Sequence, residues 1–315
     1  MTNSGISGVS GVELKQEDFV RLPKERNLSD AIVRPSVSYW SDVFRRIRSD
    51  KVAVMSLGII CIISLFAIFA PILCPYEYET TDLLHTNLAP CREHWFGTDS
   101  LGRDQWARVW IGARTSLLIG LGGAIVPQVI GIFLGGLSGY FGGWVDMLIM
   151  RIIDVGVCIP SLVYVTLIML WLGSGPAAII LAIAITGWMD SARVVRGRML
   201  QFKNREFVLA ASTQGAGSLR IIFRHILPNI LGQQVVSVSS AIPGAIFLEA
   251  YLSFIGLGIK SPMTSWGQLC QVGASFYRLY PYQLFIPGLL ISITILAFYL
   301  FGNCLRDALD PHLRD

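Results

Sequence analysis

The amino-acid sequence predicts an all-α integral membrane protein with six transmembrane helices, and three observations support this fold class. Of the 315 residues, 53% are hydrophobic and 15% are charged, and the mean hydropathy of +0.58 is too high for a water-soluble protein of this length. Six separate apolar stretches approach the length of about 20 residues that a helix needs to cross a bilayer. Lys and Arg residues cluster beside some of these stretches and are rare beside others.

The apolar stretches give the approximate positions of the spans. Residues 52–73 would form a helix of about 33 Å, enough for a hydrocarbon core of about 30 Å. The other candidate spans are Leu117–Leu137, Val155–Leu172, Ala177–Val195, Ile230–Leu248 and Leu284–Gly302. The span that begins at Ala177 has the weakest support, because Asp190 interrupts it after about 13 apolar residues. An even number of spans places both termini on one side of the membrane.

Positive charge orients these spans, because loops rich in Lys and Arg stay in the cytoplasm. Basic residues occur at 45–51, before the first span, and again at 193–224, around the connection between the fourth and fifth spans. We therefore expect both termini and the tail at 304–315 to be cytoplasmic, and residues 74–113 to form an extracytoplasmic loop. Residues 114–303 then form the membrane core.

Two segments precede the first span. Residues 1–35 are rich in Ser, Gly and charge without apolar periodicity, which predicts a flexible cytoplasmic arm. Residues 36–51 have apolar residues at helical spacing opposite basic ones, which predicts an interfacial amphipathic helix. A helix packed on another subunit would have the same pattern.

The cysteines and histidines indicate no metal site, because neither a CxxC nor an HExxH pattern occurs. Cys74 and Cys91 both lie in the predicted extracytoplasmic loop. A disulfide between them and two free thiols are both open alternatives, because sequence does not give their geometry.

The segment from Arg205 to Asn229, REFVLAASTQGAGSLRIIFRHILPN, is too long for a simple turn and too polar to cross the membrane. It predicts a helix, a break and a second helix. Ala210 and Ala211 offer a surface of small side chains, Gly215 and Gly217 permit a reversal of the chain, and Ser218 is placed to cap the next helix. Such a short helix can bind in a groove on another protein.

This segment is similar to the EAA loop of ABC-importer permeases, in which two alanines, a later glycine and a terminal Leu-Pro recur. The matching residues here are Ala210, Ala211, Gly215, Leu227 and Pro228. Two positions depart from the pattern. The acidic residue is Glu206 instead of the residue directly before the alanines, and His225 replaces an isoleucine.

Other stretches narrow the resemblance to the peptide- and nickel-type importer permeases, and to the second, shorter permease of each pair. They are HWFGTDSLGRDQWARVWIGARTSL, GYFGGWVDMLIMRIIDV, LEAYLSFIGLG followed by SWG, and the ending LRDALDP. Trp95-Phe96 replace the usual Pro-Leu, Ala107 replaces Ser, and Gly302-Asn303 stands where the family has Gly-Asp. The resemblance covers roughly residues 36–312.

The resemblance implies the type I ABC-importer permease fold in a bacterial inner membrane. The chain would form half of a pore with a homologous second permease, work with two cytoplasmic ATP-binding subunits and an extracytoplasmic substrate-binding protein, and contact membrane lipid but no nucleic acid. ATP and Mg would bind to the partner ATPases. This chain would have no catalytic residue and no cofactor, and it contains no GxxxxGK[ST] phosphate loop.

Within the coupling loop, residues 198–228, the resemblance points to contacts with the ATPases. The candidate residues are Glu206, Ala210, Ala211, Gly215, Gly217, Ser218 and Pro228. Peptides are the favoured substrate, with nickel or another small solute as the alternative. A free-standing channel or secondary transporter is a competing class, which predicts no long coupling loop and usually an inverted repeat. An intramembrane enzyme would need paired carboxylates, a nucleophile with a base, or clustered histidines, and we find no such group.

Three further groups of polar residues are candidates for function. Thr98, Asp99, Gly102, Arg103 and Asp104 would either contact a binding protein or stabilise their own loop by side-chain hydrogen bonds. Gln128, Gln233, Gln234 and Glu249 would either line a pore or gate or be satisfied by helix packing. Arg151 and Asp154, three residues apart, predict a structural ion pair.

Overall fold

The computed structural model describes residues 39–309, and in this range it consists of helices and loops without a β-strand. The all-α prediction is confirmed for these residues. The predicted arm at 1–35, the first residues of the amphipathic helix and the last residues of the tail, 310–315, lie outside the described range. The chain divides into two units, residues 1–42 and residues 43–315.

The helices follow one another along the chain with short connections, except for the long loop between the second and the third. In order they are α1 (Tyr39–Ser49), α2 (Lys51–Leu73), α3 (Gln105–Phe141), α4 (Gly143–Val157), α5 (Ser161–Leu172), α6 (Pro176–Lys203), α7 (Glu206–Thr213), α8 (Ser218–Arg220), a π-helical segment (Ile221–Ile226), α9 (Leu227–Phe254), α10 (Trp266–Ser275) and α11 (Tyr282–Leu309).

Five continuous helical stretches are long and apolar enough to cross a membrane: α2, α3, α6, α9 with the helical residues before it, and α11. The pair α4 and α5 makes a sixth span if the two are counted together across their bend of 90°. The predicted span at Val155–Leu172 therefore covers the end of α4 and the whole of α5, with a break between them. Pro160 breaks the helix, because it lacks an N–H donor and disfavours the helical conformation of the residue before it.

Helices α3 and α6 approach each other closely through glycines at every fourth position of α3. Gly131, Gly135 and Gly139 are buried, and a Cβ on Gly139 would lie 2.6 Å from the Cβ of Met199. A Cβ on Gly135 would clash with the backbone of Ala192. Membrane helices use such small residues to bring their backbones together, because apolar side chains gain little from leaving lipid.

The glycine contacts also show that α3 and α6 run parallel. Gly122 of α3 faces Ile180 near the start of α6, and Gly139 faces Met199 near its end. The chain between these helices must return along their length before α6 can begin. Because α4 and α5 are the elements that make this return, the bent pair acts as one span, in agreement with the six predicted from hydropathy.

Arg114 is a charged residue within the apolar helix α3, and its guanidinium donates hydrogen bonds to backbone carbonyl groups of α2. Pro71 lies inside α2 and has no N–H to bond the carbonyl group of Ala67. The Arg114 guanidinium donates to that carbonyl oxygen at 2.5 Å and to the carbonyl oxygen of Ile68 at 2.6 Å. The charge therefore joins α2 to α3 and satisfies a carbonyl that would otherwise lack a donor.

The loop between α2 and α3 is shorter than the predicted 74–113, because α3 begins at Gln105. Asp104 caps the helix and accepts a hydrogen bond from the backbone N–H of Ala107 at 2.8 Å. Residues 105–113 were predicted to belong to the loop because they contain the charged residue Arg108. The side chain of Arg108 is instead buried and donates to the carbonyl oxygen of Tyr78 at 3.3 Å.

Replacing Gly135 by Ala should destabilise the protein, because the new Cβ meets the Ala192 backbone and cannot move aside. We expect a loss of about 1–3 kcal/mol, typical of overpacking. Thermal unfolding of the purified chain in detergent, followed by tryptophan fluorescence, measures it. The neighbouring change Gly136→Ala is the control, because its Cβ meets only the Met199 Cε atom at 3.5 Å. Equal losses for both variants would contradict the proposed helix contact.

Candidate functional site

The connection between α6 and α9 has the predicted order of helix, break and helix. Helix α7 follows α6 after only two residues, Asn204 and Arg205. At Gly215 the backbone has φ +81°, in the left-handed region that favours glycine. The chain then enters α8 and the π-helical segment, which continue into α9.

Two details of this break differ from the prediction. Gly217 has φ −68°, which any residue can adopt, so it is not needed for the reversal of the chain. Ser218 is the first residue of α8 instead of its cap, and no side-chain hydrogen bond caps this helix. The prediction of a cap at Ser218 was wrong by one position, because Gly217 occupies the cap position.

Helix α7 has one buried residue and a largely exposed apolar surface. Val208 packs in a cluster with Met199, Ile222 and Ile226, which fixes α7 against the end of α6 and the π-helical segment. Phe207 and Leu209 are 42% and 53% exposed. Glu206, Ala210, Gly215, Gly217, Ser218 and Pro228 are also exposed, and Ala211 is half-buried. The predicted coupling residues therefore form an accessible surface.

An ion pair fixes the end of α6 that leads into α7. Arg196 donates from Nε and Nη2 to the two carboxylate oxygens of Asp146, at 2.5 and 2.6 Å. The hydroxyl of Ser138 also donates to Asp146, at 2.5 Å. Because these residues belong to α3, α4 and α6, the pair clamps three helices together. Lys203, the last residue of α6, donates to the Tyr140 carbonyl oxygen at 2.6 Å.

The predicted pair of Arg151 and Asp154 is present in α4, with its closest charged atoms 3.9 Å apart. Asp154 is shared, because Arg193 of α6 donates to it at 3.3 Å. The side chains of Arg151 and Asp154 are 78% and 54% exposed. An exposed pair at this distance contributes little to stability.

The candidate contacts for a binding protein lie beneath the surface of the loop. Thr98, Asp99, Gly102, Arg103 and Asp104 are all buried. Asp99 accepts hydrogen bonds from the backbone N–H groups of Leu101 and Arg103, both at 2.9 Å, and from the Arg103 guanidinium at 2.7 Å. This geometry favours the second interpretation of the sequence, that these side chains stabilise their own loop, and it leaves them no surface for direct contact.

Cys74 and Cys91 are free thiols, so the possible disulfide is not formed. Cys91 Sγ accepts from the backbone N–H of His94 at 3.3 Å, whereas Cys74 Sγ lies 3.8 Å from Asp104 Oδ1. Partial burial, and to a lesser degree the nearby Asp104, raise the pKa of the Cys74 thiol above its usual value. A thiol with a raised pKa is a poor nucleophile.

The four candidate pore residues do not form one site. Gln128 accepts from the hydroxyl of Ser191 at 2.7 Å and so joins α3 to α6. Gln233 is exposed, whereas Gln234 is 3% exposed and its amide has no partner among the described residues. Glu249 is completely buried.

Glu249 is the centre of a polar cluster that the sequence did not reveal. Ser116 donates to it at 2.8 Å and Ser253 at 2.9 Å. Ser116 also accepts from the backbone N–H of Trp266, at 3.2 Å. The cluster therefore joins α3, α9 and the start of α10. Serines within apolar stretches were the only available signal, and they are too common to single out.

Comparison with known proteins shows the family to which this chain belongs. Residues 131–315, more than half of the chain, match the family model described as binding-protein-dependent transport system inner membrane component. The chain belongs to this family. Residues 38–90 match a second model, the N-terminal transmembrane domain of oligopeptide transport permease C. As a member of this family the chain is a multi-pass transport permease of the inner membrane, not a hydrolase.

Relatives in the family are similar over nearly their whole length. The chain is 46% identical over 294 residues to the oligopeptide transport system permease protein OppC of Bacillus subtilis (strain 168), covering 93% of this chain and 96% of that protein. It is 42% identical over 303 residues to the dipeptide transport system permease protein DppC of the same organism, covering 96% and 95%. With OppC of Escherichia coli (strain K12) the identity is 41% over 287 residues, covering 90% and 95%.

Asp146→Asn should lower thermal stability, because it leaves the Arg196 guanidinium without its carboxylate. We expect a loss of about 1.5–3 kcal/mol, the range for a hydrogen bond to a charged group. The double exchange Asp146→Arg with Arg196→Asp should recover part of this loss. Recovery is incomplete because an arginine in the first turn of α4 opposes the helix dipole.

Thermal unfolding in detergent measures these variants, with Arg151→Ala in the same helix as the control. The exposed Arg151 pair should change stability by less than about 0.5 kcal/mol. If Asp146→Asn lowers stability no more than Arg151→Ala does, the Asp146–Arg196 pair does not hold the three helices together.

Proposed function

We propose that this chain is one of two permease subunits that form the pore of an ATP-driven importer for di- or oligopeptides. The three relatives described above are named for oligopeptide or dipeptide transport. Their names support peptides over nickel or another small solute as the cargo. A homologous second permease completes the pore, and an extracytoplasmic binding protein delivers the peptide.

The observation that carries the coupling role is the exposed apolar surface of α7. A helix of eight residues is too short to be stable alone, and Val208 is its only buried residue. Phe207 and Leu209 remain exposed on the surface beside the small Ala210. An ordinary cytoplasmic connection has no reason to present such side chains, whereas a helix that binds in a groove of an ATPase does.

The permease receives movement and does not generate it. ATP and Mg bind to two cytoplasmic ATPase subunits, and this chain holds no cofactor of its own. Movement of α7 passes to α6 through Asn204 and Arg205. It then passes to α3 through the glycine contacts and the Asp146–Arg196 clamp. In this mechanism α3, α6 and α7 move as one rigid unit and switch the pore between inward and outward access.

The binding protein meets the exposed part of the loop between α2 and α3 instead of its buried interior. Leu83 and Leu84 are 74% and 90% exposed in this loop. The buried ion pair of Asp99 and Arg103 stabilises the shape of the loop. We therefore move the proposed contact from the five buried residues to this exposed surface.

Copurification and uptake test the proposal together. The complete transporter, solubilised gently, should contain a second permease and ATPase subunits, and in vesicles it should take up a short labelled peptide only with ATP. A chain that purifies alone and conducts solutes without ATP would instead be a free-standing channel.

Gly215→Val in the complete transporter should separate ATP hydrolysis from uptake. A β-branched residue at φ +81° costs about 1–2 kcal/mol, which shifts the break after α7 away from its native shape. We expect uptake per ATP hydrolysed to fall by more than about fivefold, as for a coupling free energy of about 1 kcal/mol. Gly175→Val is the control, because Gly175 lies outside the coupling loop, its φ of −175° accepts valine, and no atom of the chain lies within 4 Å. Unchanged coupling in Gly215→Val would count against the role of this segment.

A further inference from the structure

An apolar groove with a volume of about 710 Å³ opens where α2 ends and the loop to α3 begins. Phe69 and Leu73 of α2 form one wall, and Trp95 and Trp106 lie on the other side. Phe69, Leu73 and Trp95 are 53%, 81% and 62% exposed, so residues 39–309 do not fill the groove. Because α2 is a membrane span, its end lies at the boundary between hydrocarbon and headgroups.

The aromatic side chains that line the groove are held in place by one another. Trp95 meets Trp106 edge to face with ring centroids 4.7 Å apart, and Trp106 meets Trp110 at 5.6 Å. Phe66 stacks on Trp110 at 4.9 Å. Such rings are enriched at the level of lipid headgroups, and their fixed arrangement gives the groove a preformed apolar lining.

Two adjacent charges lie at the rim of this groove. Arg92 and Glu93 are both exposed and both line it. Within residues 39–309 the Arg92 guanidinium has no ion pair or hydrogen bond. A free guanidinium above an apolar wall is complementary to a phosphate group, and a neighbouring carboxylate is complementary to an ammonium group.

We propose that the groove binds one phospholipid with a phosphatidylethanolamine headgroup. An acyl chain lies along Phe69, Leu73 and Trp95, the lipid phosphate contacts Arg92 and the lipid ammonium contacts Glu93. This headgroup carries both charges that the rim requires. The inference needs only that the chain spans the membrane, so it does not depend on peptide transport.

Native mass spectrometry of the full chain, exchanged into nanodiscs of phosphatidylethanolamine or of phosphatidylglycerol and then released, measures lipid retention. The wild type should retain phosphatidylethanolamine more strongly than phosphatidylglycerol. Arg92→Glu should weaken retention of both lipids by roughly five- to tenfold, because it replaces the contact to the phosphate by repulsion. Glu93→Gln should abolish the preference for phosphatidylethanolamine and leave phosphatidylglycerol unchanged.

Two controls keep the test specific to the groove. Arg278→Glu changes an exposed arginine elsewhere, and Trp171→Ala removes an exposed tryptophan of α5. Both should retain lipid as the wild type does, whereas Trp95→Ala should lose it with only a small change in thermal stability. Equal retention by Arg92→Glu and Arg278→Glu would overturn the proposal.

The competing occupant is a helix of a partner subunit. A photo-crosslinking amino acid at Leu73, in membranes that contain the complete transporter, distinguishes the two. Cross-links to lipid support the proposal, whereas cross-links to another protein chain overturn it. Because neither experiment measures uptake, their failure is separate from a failure of the proposed function.

Discussion

The close approach of α3 to α6 is the contact on which the rest of the structure depends. Apolar side chains gain little by leaving lipid, so the two helices must be held by backbone packing, and Gly131, Gly135 and Gly139 make that packing possible. The parallel direction of this pair obliges α4 and α5 to return the chain between them. The same contact brings Asp146 to Arg196 and places α7 at the end of the packed pair.

Polar groups in the membrane part of this chain mostly serve to join helices. Arg114 donates a hydrogen bond to a carbonyl group that Pro71 leaves without a donor in α2. Glu249 accepts hydrogen bonds from serine hydroxyl groups of α3 and α9. Such groups are costly in lipid unless they find partners inside the protein. Exposed apolar surfaces are therefore available for partner subunits. The surface of α7 is such a surface, and it lies at the end of the α3–α6 pair.

Hydropathy was enough to predict the helical fold and the approximate spans. A helix that crosses a bilayer needs about 20 mostly apolar residues, and such stretches are visible in the sequence. It could not predict the start of α3, since Arg108 looks like a loop charge until its burial is known. The reversal at Gly215 was predictable because only glycine suits its backbone angle readily. The cluster around Glu249 was not, because it depends on contacts between residues far apart in the chain.

The central claim is that α3, α6 and α7 move as one rigid unit when the ATPases act. A pulsed electron paramagnetic resonance distance between spin labels at Leu118 of α3 and Ser212 of α7, both exposed, tests it most directly. The measurement uses complete transporter whose ATP-driven uptake is verified in the same sample. The claim predicts the same distance distribution without nucleotide and with ATP bound. A shift of that distribution on ATP binding would show that α7 moves independently of the helix pair, and would contradict the mechanism.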